Sequence, residues 1–400
     1  MYTSRIEMFP AKNGDTFLVS CFGESNVNIL IDLAYLHTYK TYVKTVLLNK
    51  NAMGESLDLM VVTHIDQDHI AGAISFLEEN GTCEAPNLIE VKEIWHNSYR
   101  HLSISQHEHQ LNKTEKEIIE KKVVYVEKDF NSRTPISGKH GSRLAGYLYL
   151  NGYNWNGSYG GNAVLFNEIP VFLGNGSVKI TVLSPTDIEL SELERVWRKE
   201  LRRTFPRMPL TSDPCFDDAV EYVSEYLEPK GVGVGRTNVS ATGSIKKLSM
   251  SPFFEDGDEI NASSITFILE HKDKKMLFLG DCPPSITIRQ LKALFSNTEV
   301  PPYFDLIKVS HHGSQFNTNM DLLNMIDSKN YLISTSGSGH GHPDMETLSR
   351  IVARKSTFTR NLFFSYPTPS AISMNREESK KEFNYEVFYP STEESVIVHL

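Results

Sequence analysis

The sequence predicts an α/β protein built as a four-layer αββα sandwich, two β-sheets packed face to face between helical layers. Three observations carry that expectation. Residues 5–95 and 264–354 each alternate short β-rich runs with helical segments, as sheets covered by helices do. Several of those β-rich runs end in His or Asp at a tight polar turn, so their chemistry would gather at one edge. Between the two stretches the rhythm is lost. The chain therefore divides into a first half-core (1–95), a long insertion with surface elements (96–260) and a second half-core (261–400).

In order, Arg5–Phe9 alternates apolar and polar residues, Asn13-Gly14-Asp15 punctuates, and Thr16–Phe22 and Val27–Ile31 read as strands. A helix over 39–50, a strand over 57–63, a helix over 70–80 and a strand over 91–95 follow. The second set opens with a strand at Val178–Leu183. It resumes with the hairpin-like pair Ser264–Leu269 and Lys275–Leu279, around the polar His271–Lys274. Helix 284–297, strand 303–309, helix 318–327, strand 330–336 and helix 343–354 complete it. Within 96–260, residues 106–122, 189–203 and 215–228 read as helices. Gly152–Gly161 and Gly231–Ser244 read as Gly-rich connections, the second expected to be mobile.

Composition narrows the function. The chain has 400 residues, 40% of them hydrophobic, and a net charge of −10. That balance argues against tight, sequence-independent binding of long nucleic acid by bulk charge, though not against a nucleic-acid substrate held locally. The four cysteines, Cys21, Cys83, Cys215 and Cys282, show no CxxC pairing, which fits a reducing cytoplasm better than a disulfide scaffold. Met1–Glu7 has no secretory signature, and no apolar run approaches the roughly 18 residues of a spanning helix.

The run Thr63-His64-Ile65-Asp66-Gln67-Asp68-His69, directly after the apolar Leu57–Val62, sets two imidazoles and two carboxylates within six residues. Imidazole nitrogen and carboxylate oxygen are the ligands of borderline metals. The plainer alternative is a polar turn with Asp68 capping the next helix, but a cap needs one such residue. Three further strand ends follow: Leu279-Gly280-Asp281, Ser310-His311-His312-Gly313-Ser314 and Gly337-Ser338-Gly339-His340-Gly341-His342-Pro343.

With these residues together, the chain resembles the metallo-β-lactamase superfamily, whose hallmark is HxHxDH followed by a distal His, Asp and His. It is most similar to the hydrolase domain of ComEC-type DNA-uptake proteins and their free-standing relatives. That subgroup has HxDxDH, here His64–His69, a TGD-like strand end, here Leu279–Asp281, KVxHHGS, here Lys308–Ser314, and a late GHP, here Gly341–Pro343. Asn13-Gly14-Asp15 and Ile29–Asp32 are similar to its GQGD and LIDxG elements. The resemblance spans residues 5–80 and 260–355.

The resemblance implies His64 and Asp66 on one metal, Asp68, His69 and His312 on the other, and Asp281 bridging both. Two departures stand out. Asp66 replaces the usual His, and Asn261 stands where the distal His is expected. Harder and fewer donors in the first site move the preference from Zn²⁺ toward Mn²⁺ or Mg²⁺, in one or two sites. Asp15 and Asp32 are expected to hold ligands or form turns.

The implied function is cleavage of phosphodiester bonds by a metal-activated water, with Asp68, His342 and His311 as catalytic candidates, in a nuclease or nucleotide phosphodiesterase. Nucleic acid or a nucleotide is the expected substrate. The 96–260 segment is the expected contact for any protein partner, no membrane partner is expected, and phage defence is an extension of the resemblance. Two alternatives remain: an ester, amide or lactone hydrolase of the same fold, and a metal-stabilised recognition subunit of a larger assembly. Lys139 and Arg143 are candidate phosphate contacts or a solvated loop. Tyr153-Asn154-Trp155 is a base-stacking surface or a packing anchor. His96 and the His107/His109 pair carry no expectation of metal, and His140 only that of its loop.

Overall fold

The computed structural model describes residues 2–102, 111–119, 143–206, 208–211, 213–224, 244–296, 302–339 and 341–400. The expectations for His107, His109, Lys139, His140, His340 and the 231–243 connection lie outside the described residues.

A six-stranded sheet is formed by β1 (Ser4–Met8), β2 (Phe17–Cys21), β3 (Val27–Ile31), β4 (Leu59–Val61), β5 (Ile94–Trp95) and β16 (Val396–His399), in the order β16-β1-β2-β3-β4-β5. The eight-stranded sheet contains β6 (Val171–Leu173), β7 (Val178–Ser184), β8 (Thr266–His271), β9 (Lys274–Phe278), β11 (Leu306–Lys308), β13 (Asn330–Ile333), β14 (Arg360–Phe364) and β15 (Tyr385–Phe388). Its order is β15-β14-β13-β11-β9-β8-β7-β6. The short β10 (Tyr303–Phe304) and β12 (Asp327–Ser328) pair beside it.

Strand alternation explains the layering, because successive side chains leave a strand on opposite faces. Phe17, Val19, Ile29, Ile31, Leu59 and Val61 from one sheet meet Phe267, Leu269, Met276, Phe278, Leu306 and Leu332 from the other in a single inter-sheet core. The intervening Leu18, Leu30 and Met60 point the other way, onto Tyr39, Val43, Leu47, Phe76 and Leu77 of the first helical layer. Ile268, Leu277, Ile307 and Tyr331 do the same against Leu291, Leu322, Leu348 and Ile351 of the second. The αββα sandwich expected from the sequence is therefore the one observed.

The helix Asp187–Thr204 shows how the middle segment joins that body. Thr186 and Glu189 form a capping box at its start, and Leu190, Leu193, Trp197 and Leu201 recur on one face and enter the first helical layer. β7 also comes from this middle segment, yet it pairs directly with β8, so part of 96–260 belongs to the second sheet.

Some elements differ from expectation. The helix expected over 70–80 runs Gln67–Asn80, with Asp66 rather than Asp68 at the N-cap. The helix expected over 39–50 is three consecutive pieces, Leu36–Thr38, Tyr39–Val43 and Lys44–Ala52, the middle one a π-helix. The strand expected over 91–95 is only Ile94–Trp95, with an isolated bridge from Leu57 to Val91. Residues 360–400, for which no element was expected, supply β14, β15 and β16.

Candidate metal centre

Direction of the strands brings the polar residues together. β3, β4 and β5 are mutually parallel, as are β9, β11 and β13, so within each set the C-terminal ends share an edge. Asp32 follows β3, Thr63 and His64 follow β4, Asp281 follows β9, and His311 and His312 follow β11. The two sheet edges are tied where Ile265 N–H donates to the Thr63 carbonyl at 2.9 Å. Because the helix Gln67–Asn80 begins inside the motif, Asp68 and His69 fall in its first turn, next to the strand ends. The β1–β2 loop closes over them. Asp15 N–H donates to the Asp68 carbonyl at 3.2 Å, and a Cβ on Gly14 would lie 2.0 Å from that same oxygen.

Asp281 is the focus. Its Oδ2 lies 3.4 Å from His312 Nε2, 3.5 Å from His69 Nε2, 3.8 Å from His311 Nε2 and 4.0 Å from His64 Nε2. Asp68 adds Oδ2 at 3.4 Å from His312 Nε2 and Oδ1 at 4.0 Å from His69 Nε2, while Asp66 Oδ2 is 3.5 Å from His64 Nε2. Within this cluster His64, His69 and Asp281 form one potential ligand group, and Asp68, His69 and His312 another. Asp15 stands in a third with Asp281 and His312.

The residues fit divalent cations. His64 Nε2, His69 Nε2 and His312 Nε2 are buried without a hydrogen-bond partner, a costly arrangement unless an ion completes it. Donor atoms sharing an ion at about 2.0–2.2 Å stand roughly 3–4 Å apart, the spacing seen here. The remote nitrogens are already engaged. His69 Nδ1 is 2.8 Å from Asp32 Oδ2, His312 Nδ1 is 2.9 Å from the Ser334 carbonyl, and His64 Nδ1 is 3.0 Å from Thr63 Oγ1. Such contacts fix ring orientation and turn Nε2 toward the ion.

Charge reinforces the fit. Burial would pull the His312 pKa down, but Asp281, Asp15 and Asp68 outweigh it and lift it to about 10. Burial opposes the His69 shift too, and Asp281 and Asp32 raise it well above the ordinary histidine range. Burial alone would raise the Asp281 carboxyl, yet His312, His69, His311 and Lys308 hold it well below the usual carboxylate range. The pocket is an excess of buried negative charge that protons or cations must balance.

His342 is buried at the rim, its ring 5.4 Å from that of His311 and its Nδ1 3.2 Å from Asp344 Oδ2; burial lowers its pKa. His311 sits inside the cluster, with Nδ1 3.2 Å from Asp256 Oδ2 and 3.0 Å from Asn317 Oδ1. Asn261 lies beside it, Nδ2 3.5 Å from His311 Nδ1. Asp15 and Asp32 are both buried in the centre.

Lys308, Asp256 and Asn317 were not singled out from the sequence. Lys308 is buried in a salt bridge with Asp15, 3.5 Å from Asp281 Oδ1, and donates to the Gly280 carbonyl at 2.8 Å. A lysine inside the apolar run Leu306–Val309 was its signal. Asp256 and Asn317 had none, since only folding brings them to His311.

Away from the centre, Tyr153 and Trp155 are anchors. Tyr153 Oη donates to the Gly81 carbonyl at 2.9 Å, and Trp155 Nε1 donates to the His96 carbonyl at 2.7 Å. Arg143 is buried with its guanidinium over the Tyr222 ring, which departs from a phosphate contact on an open loop.

Sheet order, inter-sheet core and a donor cluster at the strand ends together define the architecture. It is an αββα sandwich with that cluster at one edge of both sheets. No family model and no curated protein sequence matches the chain. Among solved structures it is similar to CmlA, a diiron β-hydroxylase from Streptomyces venezuelae, at a TM-score of 0.37 and 9% identity over 99% of this chain and 54% of that one. A point mutant of CmlA gives 0.36 with the same identity and coverage. A protein of unknown function from Enterococcus faecalis V583 gives 0.26 at 9% identity, over 96% of this chain and 69% of that one. The chain thus spans about half the length of the CmlA structures, 54%. Likeness this distant carries no functional argument. Among the described residues, no helix is long and apolar enough to cross a membrane.

Proposed function

We propose that the chain is a metal-dependent phosphodiesterase, a nuclease or nucleotide-cleaving enzyme, working in the cytoplasm. One observation carries the reading: imidazole Nε2 atoms from separate segments converge, three of them unpartnered, on one oxygen of Asp281. His64, Asp66, Asp68, His69, Asp281 and His312 would hold one or two cations, Mn²⁺ or Zn²⁺ by donor type and Mg²⁺ by the carboxylate share. When bound, such cations lower the pKa of water toward neutrality and neutralise charge on phosphoryl oxygens.

The chain's own residues supply the rest. Asp32, Ser334 and Thr63 hold the imidazole rings in register. Lys308 lies 3.5 Å from Asp281 Oδ1, so Oδ2 is the oxygen that Asp281 would offer to a cation. His342, with Nδ1 held by Asp344, is the proton donor for the leaving oxygen. Burial favours its neutral form, so the ring must take up a proton before it can donate one. Relatives of the ComEC-like type extend the proposal to a regulated nuclease in phage defence, with partner contacts through the 96–260 segment.

Hydrolysis of bis(p-nitrophenyl) phosphate with Mn²⁺, wild type against Asp68→Ala, tests the reading. Turnover that disappears in the variant supports it and leads to DNA, RNA and cyclic nucleotides as substrates. Equal rates in the two proteins would sink it and turn attention to carboxylic esters, amides and lactones.

A further inference from the structure

We infer that His311 is a metal ligand that completes the first cation site, with Asp256 as the carboxylate that positions it. The inference rests on the metal-dependent reading above and specifies the site it invokes. By motif alone the first site has three donors, His64, Asp66 and Asp281, because Asn261 stands where a distal histidine is expected. The second site has Asp68, His69, His312 and Asp281. The structure brings a further imidazole, His311, to 3.8 Å from Asp281 Oδ2 on the Asn261 side.

The backbone is bent to do this. His311 and His312 have φ values of 46° and 54°, so two consecutive side-chain-bearing residues lie in the left-handed region. That conformation is disfavoured for residues with a Cβ and persists where the surroundings demand it. Here it fans the two rings apart, their planes 76° from each other, while both Nε2 atoms face Asp281 Oδ2, at 3.8 and 3.4 Å. His312 packs against His69, ring centroids 5.3 Å apart, on the side of the second site. His311 packs toward Asn261, the position the missing ligand would occupy.

Its other nitrogen is held as a ligand's is. Nδ1 of His311 is 3.2 Å from Asp256 Oδ2, and the same oxygen accepts from Asn261 Nδ2 at 2.9 Å and Asn317 Nδ2 at 3.0 Å. Asn317 Nδ2 also donates to the Asp281 carbonyl at 3.0 Å, which locks His311 and the bridging residue into one frame. A carboxylate on Nδ1 fixes the tautomer that presents the Nε2 lone pair to a cation. A proton donor would need an exchangeable nitrogen turned toward substrate; in His311 both are committed. Each site then has two imidazoles and two carboxylates, one of them shared.

The test is metal binding by the full chain, stripped with chelator and titrated with Mn²⁺ by calorimetry and by electron paramagnetic resonance. Wild type is expected to bind two ions that are magnetically coupled. His311→Ala should bind one, uncoupled, and the near-isosteric Asp256→Asn should weaken the first site roughly 10–100-fold. Circular dichroism of the stripped proteins checks folding, and if His311→Ala fails to fold, Asp256→Asn decides. Two coupled ions at wild-type affinity in either variant overturn the inference and leave the metal-dependent reading standing. No binding by wild type overturns both.

Discussion

Asp32 is the most informative residue to change, because one atom separates it from asparagine. Its carboxylate accepts three donors: Thr63 N–H on Oδ1 at 2.7 Å, Thr63 Oγ1 on Oδ2 at 2.8 Å, and His69 Nδ1 on Oδ2 at 2.8 Å. Asp32→Asn keeps the shape, and its φ of 54° is one asparagine tolerates. The amide has only one acceptor oxygen, which stays with the Thr63 N–H. The amide NH₂ then faces His69, whose Nδ1 must accept rather than donate. The proton moves to Nε2, the nitrogen 3.5 Å from Asp281 Oδ2, and blocks the atom that would bind metal. Losing such an orienting partner costs about 10–100-fold in metal affinity, roughly 1.4–2.7 kcal/mol. Mn²⁺ calorimetry on stripped protein measures it, with melting in chelator as the control for folding. Affinity within about twofold of wild type would refute the argument, since it would mean that the Asp32 contact does not set the His69 tautomer.

Three further outcomes are expected. Gly14→Ala puts a methyl where 2.0 Å separates it from the Asp68 carbonyl, so that backbone must move; a loss of about 1–3 kcal/mol in urea melts and weaker Mn²⁺ binding should follow. His342→Gln should lower kcat on bis(p-nitrophenyl) phosphate while Mn²⁺ stoichiometry stays as in wild type, and an unchanged kcat would remove it from the chemistry. Asp218 is raised from 3.8 to about 7 by burial and by Glu221 beside it. The folded state therefore binds the extra proton, and the stability this residue contributes is full below pH about 4 and lost as pH rises through about 7. Asp218→Asn should remove up to about 4 kcal/mol of that decline, at 1.36 kcal/mol per unit. Denaturant melts at acid and neutral pH that fall in parallel for the two proteins would contradict this.

Much of the chemistry was readable because it is local. Two histidines and two aspartates within His64–His69 follow one apolar strand, and Asp281 and His311-His312 follow two others, so sequence spacing already links each to a strand end. The near-continuous apolar runs within Phe17–Cys21 and Thr266–His271 likewise mark strands with two buried faces. Where the helix after the motif begins was misread, since Asp66 and Asp68 are equally good capping residues and only the backbone path chooses between them. β16 carries a β-branched signal, Val396-Ile397-Val398, but nothing local names its partner. Val396–His399 pairs antiparallel with β1, at the opposite end of the chain, and short strands of this kind are stabilised by a partner that sequence windows do not contain.

The sequence by itself determined which side chains carry chemistry and that they stand at strand ends, because hydrophobic periodicity and turn residues act over a few positions. Tertiary structure decided which atoms meet. The facing of His64, His69, His311 and His312 on one oxygen of Asp281, the salt bridge of Lys308 to Asp15, and the hold of Asp256 and Asn317 on His311 depend on two sheets closing against a shared core. That closure gains its free energy from apolar surface spread across the whole chain, and it is the packing of Phe17, Phe267, Phe278 and their neighbours that sets the separation of the ligands.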